Sequence, residues 1–462
     1  MTCWTRSPLY LIGTLAALLL GSPCLADPGG SEPSIQTESS PPEVTPPQSI
    51  QGEQKQEEPA ETTVEAVDAA PGLLGQPDVS KVGRIGRLHD DIRRDKRRRS
   101  YFLEVKELYG DYARFKHRLD QDAGLTWSVD LSYLPQWAGP EGGSPSTQLL
   151  TTSNIDYRLF RSQSLGEGSV QASYTTARYP SSQNGADLSG TVGVINLIND
   201  FPVYQNTFSQ LSYTHALPGN KVLITVGQYP FYSFDGNLYL ANQQENFNSY
   251  IFSQNGSSTY PIAGLGAYMQ VNVTDAIQIA AGLQNPNNLS GSTLATPNFK
   301  TAGAAWFGYL QWTPQFRGLG TAQYSFTYYQ VPTVPEQKQS SGWSFNAMQN
   351  LNDTWALFAR ANSAYQTLAP IRSSYALGAA MNNPLGRNKL DQIGLAIGLS
   401  VPAPSPVNPP GARNEKVLEA YWNWAFTGAV LITPSIQVIF DPALVPDRRS
   451  AWSLSLRATL TL

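Results

Sequence analysis

The chain has 462 residues, of which only 14% are charged and 11% are aromatic, with a net charge of -4 and a mean hydropathy of -0.28. Soluble proteins carry about 25% charged residues, so this composition indicates that much of the surface faces something other than water. After residue 26 there is no run of about 18 apolar residues, which excludes a bundle of membrane helices. Neither the net charge nor any binding motif points to nucleic acid.

The first segment, residues 1–26, has the pattern of a secretory signal. Arg6 supplies a positive charge, Leu9–Leu20 is a short apolar stretch, and the ending Cys24–Ala26 predicts cleavage after Ala26. Acylation of Cys24 is a weaker alternative, because Pro23 stands where a small residue is needed. Both cysteines of the chain lie before the cleavage site, so the exported protein cannot form a disulfide bond.

The next segment, residues 27–80, is predicted to be a disordered linker. It contains 11 acidic residues against one basic residue, nine prolines and no aromatic residue. Such a segment has too little apolar surface to offset the conformational entropy lost on folding.

In residues 81–118 the charge reverses, to 13 basic and 6 acidic residues, with a dense basic run at 93–99. Apolar residues recur every three or four positions, which predicts one short periplasmic helix; they are Leu108, Tyr112, Phe115 and Leu119. A solvated helix face is the simplest explanation of the basic run. The alternatives are contact with an anionic cell-wall polymer, contact with lipid headgroups, and association with other copies of the chain.

The remaining residues, 119–462, hold only 34 charged residues and alternate with period two, as strands do. From Trp452 to Leu462, apolar residues hold the even positions, while Ser, Arg and Thr hold the odd ones. Each such strand therefore has one apolar face and one polar face.

Sixteen such stretches can be placed, beginning near positions 125, 149, 168, 208, 221, 263, 277, 303, 319, 341, 354, 374, 391, 417, 431 and 451. An even strand number, with long loops and short turns in alternation, is typical of outer-membrane barrels. We therefore predict an all-β fold for residues 119–462, a transmembrane antiparallel β-barrel of about sixteen strands. A barrel of that size encloses an aqueous channel. Most of the Tyr and Trp residues are expected in girdles at the membrane interfaces.

Several segments carry a resemblance to a known family. They are Pro384–Ala396 (PLGRNKLDQIGLA), Asn414–Tyr421 (NEKVLEAY) and Leu431–Pro442 (LITPSIQVIFDP), with Phe247–Ser249 and Tyr260–Tyr268 further upstream. In order and spacing they resemble the carbohydrate-selective outer-membrane porins of the OprB type, over about residues 119–462. The chain departs from that pattern in its N-terminal extension, its final leucine and the few charges of its long loop.

This resemblance implies a sixteen-stranded passive channel that takes up monosaccharide-type solutes across the outer membrane, with its N-terminal extension in the periplasm. The expected partners are small sugars and the lipid bilayer, and analogy with large porins implies a homotrimer. Alternatives are a general channel, a polysaccharide-export channel, or a structural barrel that anchors the envelope through residues 81–118.

Inward-facing charges are the candidate solute-binding groups, since a charge in a narrow wet pore can bind a passing solute. Alternation along the strands assigns six charged residues to the lumen: Asp130, Asp156, Arg158, Arg360, Glu419 and Arg457. The alternative is that these charges pair across the wall as structural salt bridges. The loop Phe231–Ile262 is the candidate constriction, through Phe231, Tyr232, Phe234, Asp235, Tyr239, Glu245 and Phe247. Arg387 and Asp391 are expected to pin the register at a periplasmic turn.

Catalytic and cofactor sites are poorly supported by the sequence. The three histidines, His89, His117 and His215, lie far apart, and the chain has no nucleophile elbow, phosphate-binding loop or zinc-ligand spacing. We therefore expect no enzyme activity, no cofactor and no metal.

Overall fold

The structure of the protein, a computed structural model, describes residues 106–141, 143–287, 291, 294, 303–334, 338–365 and 369–462. The signal segment, the acidic linker and the basic run at 93–99 lie outside the described residues, so their assignments remain predictions.

The first described element is helix α1, Lys106–Ala123, which continues beyond the end predicted at Arg118. Gly124 stops the helix with φ of +67°, and a Cβ atom there would lie 2.8 Å from the backbone oxygen of Arg158. Glycine is therefore the residue that lets the chain turn directly into the first strand. The other α-helices in the described part of the chain are α2 (Gly185–Val192) and α3 (Tyr250–Ser253). Among the described residues, no helix has both the length and the apolar character needed to cross a membrane.

Within the described residues the chain forms sixteen strands. They are β1 Leu125–Gly139, β2 Ser146–Ser162, β3 Gly166–Arg178, β4 Gln205–Ala216, β5 Val222–Pro230, β6 Ala263–Asn272, β7 Ile277–Gln284, β8 Ala305–Trp312, β9 Ala322–Val331, β10 Ser340–Asn350, β11 Trp355–Tyr365, β12 Ile371–Asn382, β13 Gln392–Pro402, β14 Glu415–Ala425, β15 Val430–Phe440 and β16 Ser450–Thr461.

Each strand pairs antiparallel with its neighbours in sequence, and β1 pairs with β16, which closes the barrel. Tyr133 lies opposite Ala458 at this seam. Beyond it, the backbone N–H of Val129 donates to the carbonyl of Leu462 at 3.1 Å, and the N–H of Leu462 donates back at 2.9 Å. A closed sheet gives every strand two partners, so no edge is left unpaired.

The strand β16 has the two faces that its sequence predicts. Leu454 and Leu456 are exposed on the outside, whereas Ser455 and Arg457 are buried on the inside. Large exposed apolar side chains continue around the outer wall, for example Leu131, Leu211, Ile279, Leu310, Phe326, Leu357 and Leu395. This apolar belt is the surface that a bilayer covers.

The predicted barrel is confirmed, and most strand starts lie close to their predicted positions. Leu125, Ala263 and Ile277 begin strands at the predicted residue, and the largest offsets are three residues, as for Ser146. The connections between strands alternate between long and short, as predicted, in the first half of the barrel. The long segments 179–204 and 231–262 leave one end of the barrel, and short turns such as 163–165 close the other. The β1–β2 loop, residues 140–145, is shorter than this alternation predicts, because β1 extends to Gly139 and β2 begins at Ser146.

Candidate functional site

Two long loops fold into the barrel and pack against its inner wall. We call residues 179–204 the β3–β4 loop and residues 231–262 the β5–β6 loop. One cluster of buried side chains joins Leu188 of the first loop and Phe247 of the second to Phe358 and Tyr421 of the wall. Phe358 is 2% exposed while its neighbour Leu357 is 45% exposed, so Phe358 points inward. The loops therefore occupy part of the lumen.

A second cluster fixes the base of the β5–β6 loop. Phe231 stacks on Tyr260, with ring centroids 4.3 Å apart, and meets Phe307 of β8 edge-on at 5.0 Å. Tyr329 of β9 packs against both loop rings. Tyr260 and Tyr329 therefore lie inside the barrel and are not part of the interface girdle predicted for most Tyr and Trp residues.

Charged wall residues hold the β5–β6 loop through its backbone. The guanidinium of Arg360 donates to the carbonyl oxygens of Leu240 and Gln254, and to Asn346 Oδ1 at 2.9 Å. Arg457 donates to the carbonyls of Gln243 and Asn246, the latter at 2.9 Å.

Asp235 of the same loop is buried in a network of neutral donors. Its carboxylate accepts from Asn255 at 2.6 Å, from the Tyr260 hydroxyl at 3.0 Å and from Asn346 of β10 at 3.0 Å. Asn346 thus contacts both the Asp235 carboxylate and the Arg360 guanidinium. This network joins two parts of the loop to the wall.

Three of the six predicted solute-binding residues are therefore not on an open surface. Arg360, Glu419 and Arg457 point inward as predicted, but they are 2%, 0% and 0% exposed. Glu419 accepts hydrogen bonds from the loop backbone at Asn248 and Ser249. The prediction of direct solute contact is wrong for these three, because strand alternation gives the face of a side chain and not what covers it.

The other three predicted residues differ among themselves. Asp130 and Asp156 line an open cavity. Arg158 instead donates to the carbonyl oxygen of Asp120 at 2.7 Å, at the end of helix α1. Its guanidinium also lies 3.8 Å from the Asp120 carboxylate. Arg158 therefore joins the helix to the barrel.

The cavity has a volume of about 300 Å³ and lies between strands β1–β4 and the two loops. Its wall side is polar, and the loops add aromatic rings and amides. The lining includes Thr126, Ser128, Asn154, Ser173, Thr175, Gln210, Tyr232, Gln244, Tyr250 and Tyr260. Among the described residues that line it, the charged ones are Asp130, Asp156 and Asp200, so the cavity is electronegative.

Asp200 joins the two loops beside this cavity and was missed in the sequence. Its backbone N–H donates to Gln243 Oε1 at 2.6 Å, and its carboxylate accepts from Gln254 Nε2 at 3.0 Å. Burial raises the pKa of Asp200 from 3.8 to about 7, against the opposing effects of the Gln254 hydrogen bond and the Arg360 charge. The only signal in the sequence is that this loop holds just two carboxylates, Asp187 and Asp200.

The residues predicted for the β5–β6 loop divide by environment. Tyr232 lines the cavity, while Phe231, Phe234, Tyr239 and Phe247 are buried in packing and Asp235 in its network. Glu245 is not part of the cavity lining; its carbonyl oxygen accepts from Asn423 Nδ2 at 2.6 Å.

Arg387 and Asp391 lie in the β12–β13 turn and contact each other at 2.6 Å. Asp391 accepts from the backbone N–H of Ala425 at 2.8 Å, and Arg387 stacks over the Trp424 ring at 4.2 Å. These contacts join the turn to the end of β14. In the part of the chain that is described, no group of three or more His, Cys, Asp or Glu residues could hold a metal ion.

Comparison with known proteins agrees with this architecture. The family model described as "Carbohydrate-selective porin, OprB family" matches residues 171–462. Porin AaxA of Chlamydia abortus is 36% identical over 353 residues, 74% of this chain and 78% of the relative. Porin AaxA of Chlamydia felis is also 36% identical, over 76% of this chain and 80% of the relative.

Among solved structures, the high-pH structure of Pseudomonas putida OprB matches with a TM-score of 0.61 at 15% identity. It covers 76% of this chain and 97% of that chain, and at this identity it supports the fold alone. With the family model spanning more than half of the sequence and the closed sixteen-stranded barrel in place, the chain belongs to the OprB family of outer-membrane porins.

Proposed function

We propose that this porin is a passive channel for small carbohydrates, with the cavity beside β1–β4 as its selective passage. The observation that carries the proposal is the composition of the cavity lining, which combines hydroxyl and amide side chains with carboxylates and tyrosine rings. Sugar hydroxyls both donate and accept hydrogen bonds, as Ser, Thr, Asn and Gln side chains do. Aromatic rings can pack on the C–H face of a sugar ring.

The size of the cavity favours small solutes over polymers. A cavity of about 300 Å³ lies at the lower end of the range for small-molecule sites. Because the two loops fill much of the remaining lumen, the cavity suits a monosaccharide better than an extruded polysaccharide. This argues against the polymer-export alternative.

The charge of the cavity supports a second candidate class of solute, small cations. Its charged lining residues within the described chain are three aspartates, and a ring of carboxylates favours cations over anions. Two electrical measurements distinguish carbohydrates from cations. A sugar reduces the ion current by occupying the passage, whereas a preference for cations shifts the reversal potential in a salt gradient.

The test is single-channel recording of the wild type and of two cavity variants, Asp156→Asn and Tyr232→Ala, during titration with glucose. We expect glucose to reduce the wild-type current and each variant to require about three- to tenfold more glucose for the same effect, since each loses one contact of about 1 kcal/mol. Matched controls are Asp353→Asn in a turn and Tyr375→Ala on the outer wall.

Wild-type current that is unaffected by glucose would contradict the carbohydrate proposal. If the same channels prefer K⁺ to Cl⁻ strongly, the cation candidate stands in its place. The homotrimer, the periplasmic extension and the contact of residues 81–118 with the envelope remain predictions.

A further inference from the structure

Strand β14 carries two inward-facing carboxylates, Glu415 and Glu419, that each contact a different loop. They lie four residues apart on one face of the strand, and both are fully buried. Within the described residues neither forms a salt bridge, and their partners are mainly backbone N–H groups. Glu415 was not among the residues singled out in the sequence, although it shares the alternation of Glu419.

Glu419 holds the β5–β6 loop. Its Oε1 accepts from the N–H of Asn248 at 2.7 Å, and its Oε2 accepts from the N–H of Ser249 at 2.9 Å. The hydroxyl of Ser435 on β15 donates to Oε1 at 2.9 Å. Both carboxylate oxygens are thus used, one for each of two successive backbone amides.

Glu415 holds the β3–β4 loop in the same way. Its Oε2 accepts from the N–H of Ile195 at 3.0 Å, and its Oε1 accepts from the N–H of Asn196 at 2.8 Å. The N–H of Ala443, between β15 and β16, donates to Oε2 at 3.1 Å. The pattern of two successive amides on one carboxylate is thus repeated four residues apart on the same strand.

We propose that Glu415 and Glu419 are positioning residues, one for each infolded loop, so that strand β14 sets the place of both loops in the lumen. Hydrogen bonds to a charged acceptor are stronger than neutral ones. Leaving a buried N–H without an acceptor is costly. A carboxylate is needed here because both of its oxygens accept, whereas the amide of Gln presents one acceptor and one donor.

The effect of each residue is separable. Glu419→Gln turns an NH₂ group toward one of the Asn248 and Ser249 amides, and leaves the Glu415 contacts in place. Glu415→Gln does the same to the amides of Ile195 and Asn196. The consequence of loop release for transport rests on the proposed channel function, whereas the docking of the loops does not.

A variant on the loop side tests the same contact without touching the wall. Ser249 has φ of -57°, which proline accepts, and its hydroxyl has no hydrogen-bond partner among the described residues. Ser249→Pro therefore removes the N–H that Glu419 binds. Ser249→Ala removes only the hydroxyl and is the matched control.

The experiment is hydrogen–deuterium exchange on the full-length protein in lipid nanodiscs, followed by mass spectrometry. We expect Glu419→Gln and Ser249→Pro to speed exchange in residues 243–254 about tenfold or more, with a smaller change at 193–197. Glu415→Gln should give the reverse pattern, and Ser249→Ala should match the wild type. Equal exchange in all variants, or the same loop responding to both glutamates, would overturn the proposal.

Single-channel recording of the same variants separates this inference from the proposed function. Faster amide exchange confined to one loop, together with a changed block of the current by sugar, supports both the positioning role and the proposed function. Loop-specific exchange with unchanged current and unchanged sugar block supports the positioning role and counts against the loops as the selective constriction. Unchanged exchange overturns the positioning role whatever the current does.

Discussion

Three buried charges of the barrel wall contact the backbone of the β5–β6 loop. Arg360 and Arg457 donate to carbonyl oxygens, and Glu419 accepts from amides. A charge that is removed from water must be met by dipoles or by an opposite charge, and here the loops supply the dipoles. The three aspartates Asp130, Asp156 and Asp200 line the cavity instead, where a solute can reach them.

Asp200 should make the channel sensitive to pH. Because its pKa is raised to about 7, its carboxyl is mostly neutral at pH 6 and mostly ionised at pH 8. The negative charge of the cavity therefore grows as the pH rises through 7, and cation preference should grow with it. We expect the wild-type permeability ratio of K⁺ to Cl⁻, taken from reversal potentials, to increase severalfold between pH 6 and pH 8.

Asp200→Asn should keep a low, flat ratio over this range, and Asp353→Asn in a distant turn should behave as the wild type. A wild-type ratio that does not change between pH 6 and pH 8, or an unchanged pH response in Asp200→Asn, would remove Asp200 from this role.

For single residues, the sequence predicted which face of a strand a side chain lies on better than it predicted what covers that side chain. Period two gave the inward direction of Arg360, Glu419 and Arg457 correctly. It could not show that loop residues 106 to 214 positions away in sequence would cover them, because contacts between loop and wall leave no periodic pattern in the sequence. Asp200 is missed for the same reason, since a carboxylate in a loop has no strand parity from which to infer its surroundings.

At the scale of one strand, β16 offers a direct test of the membrane-facing surface. Leu456 lies mid-strand and is 46% exposed on the outer wall. A lysine near the bilayer midplane costs about 2–4 kcal/mol in such barrels, so Leu456→Lys should lower the free energy of unfolding by that amount. The measurement is urea unfolding of the protein refolded in lipid vesicles.

Thr152→Lys is the control, because Thr152 lines the aqueous cavity and a charge there keeps its contact with water. Its cost should be smaller than that of Leu456→Lys. Equal costs at the two positions would mean that the outer wall of β16 does not face lipid.

The strands are the elements that the sequence predicted best. In a barrel strand every second side chain faces lipid and the others face water or a loop. The apolar–polar alternation of β16 therefore identifies the strand without knowledge of distant contacts. The loops are set by tertiary contacts instead. The short helix α2 begins with a capping box between Asn184 and Asp187, which is a local signal carried by the sequence.

At the scale of the whole molecule, the lumen is divided into a filled side and an open side. The two aromatic and aliphatic clusters pack the loops against β5 and β7–β16, while the cavity lies along β1–β4. A barrel of sixteen strands is wide enough for a water-filled channel, and the infolded loops leave a cavity of about 300 Å³ beside β1–β4. Closure of the sheet was predictable from the strand count, but the side of the lumen on which the cavity lies was not.

The most direct test of this account uses single cysteines, which is practical because both native cysteines precede the predicted cleavage site. Ser128→Cys and Asn154→Cys place a thiol in the cavity lining, whereas Ser435→Cys places one beneath the loops on the filled side. A charged methanethiosulfonate reagent, added during single-channel recording, should react rapidly at the first two positions and change the current, and should leave the third unmodified. Rapid modification at Ser435→Cys, with no reaction at the two cavity positions, would contradict a passage that runs along β1–β4.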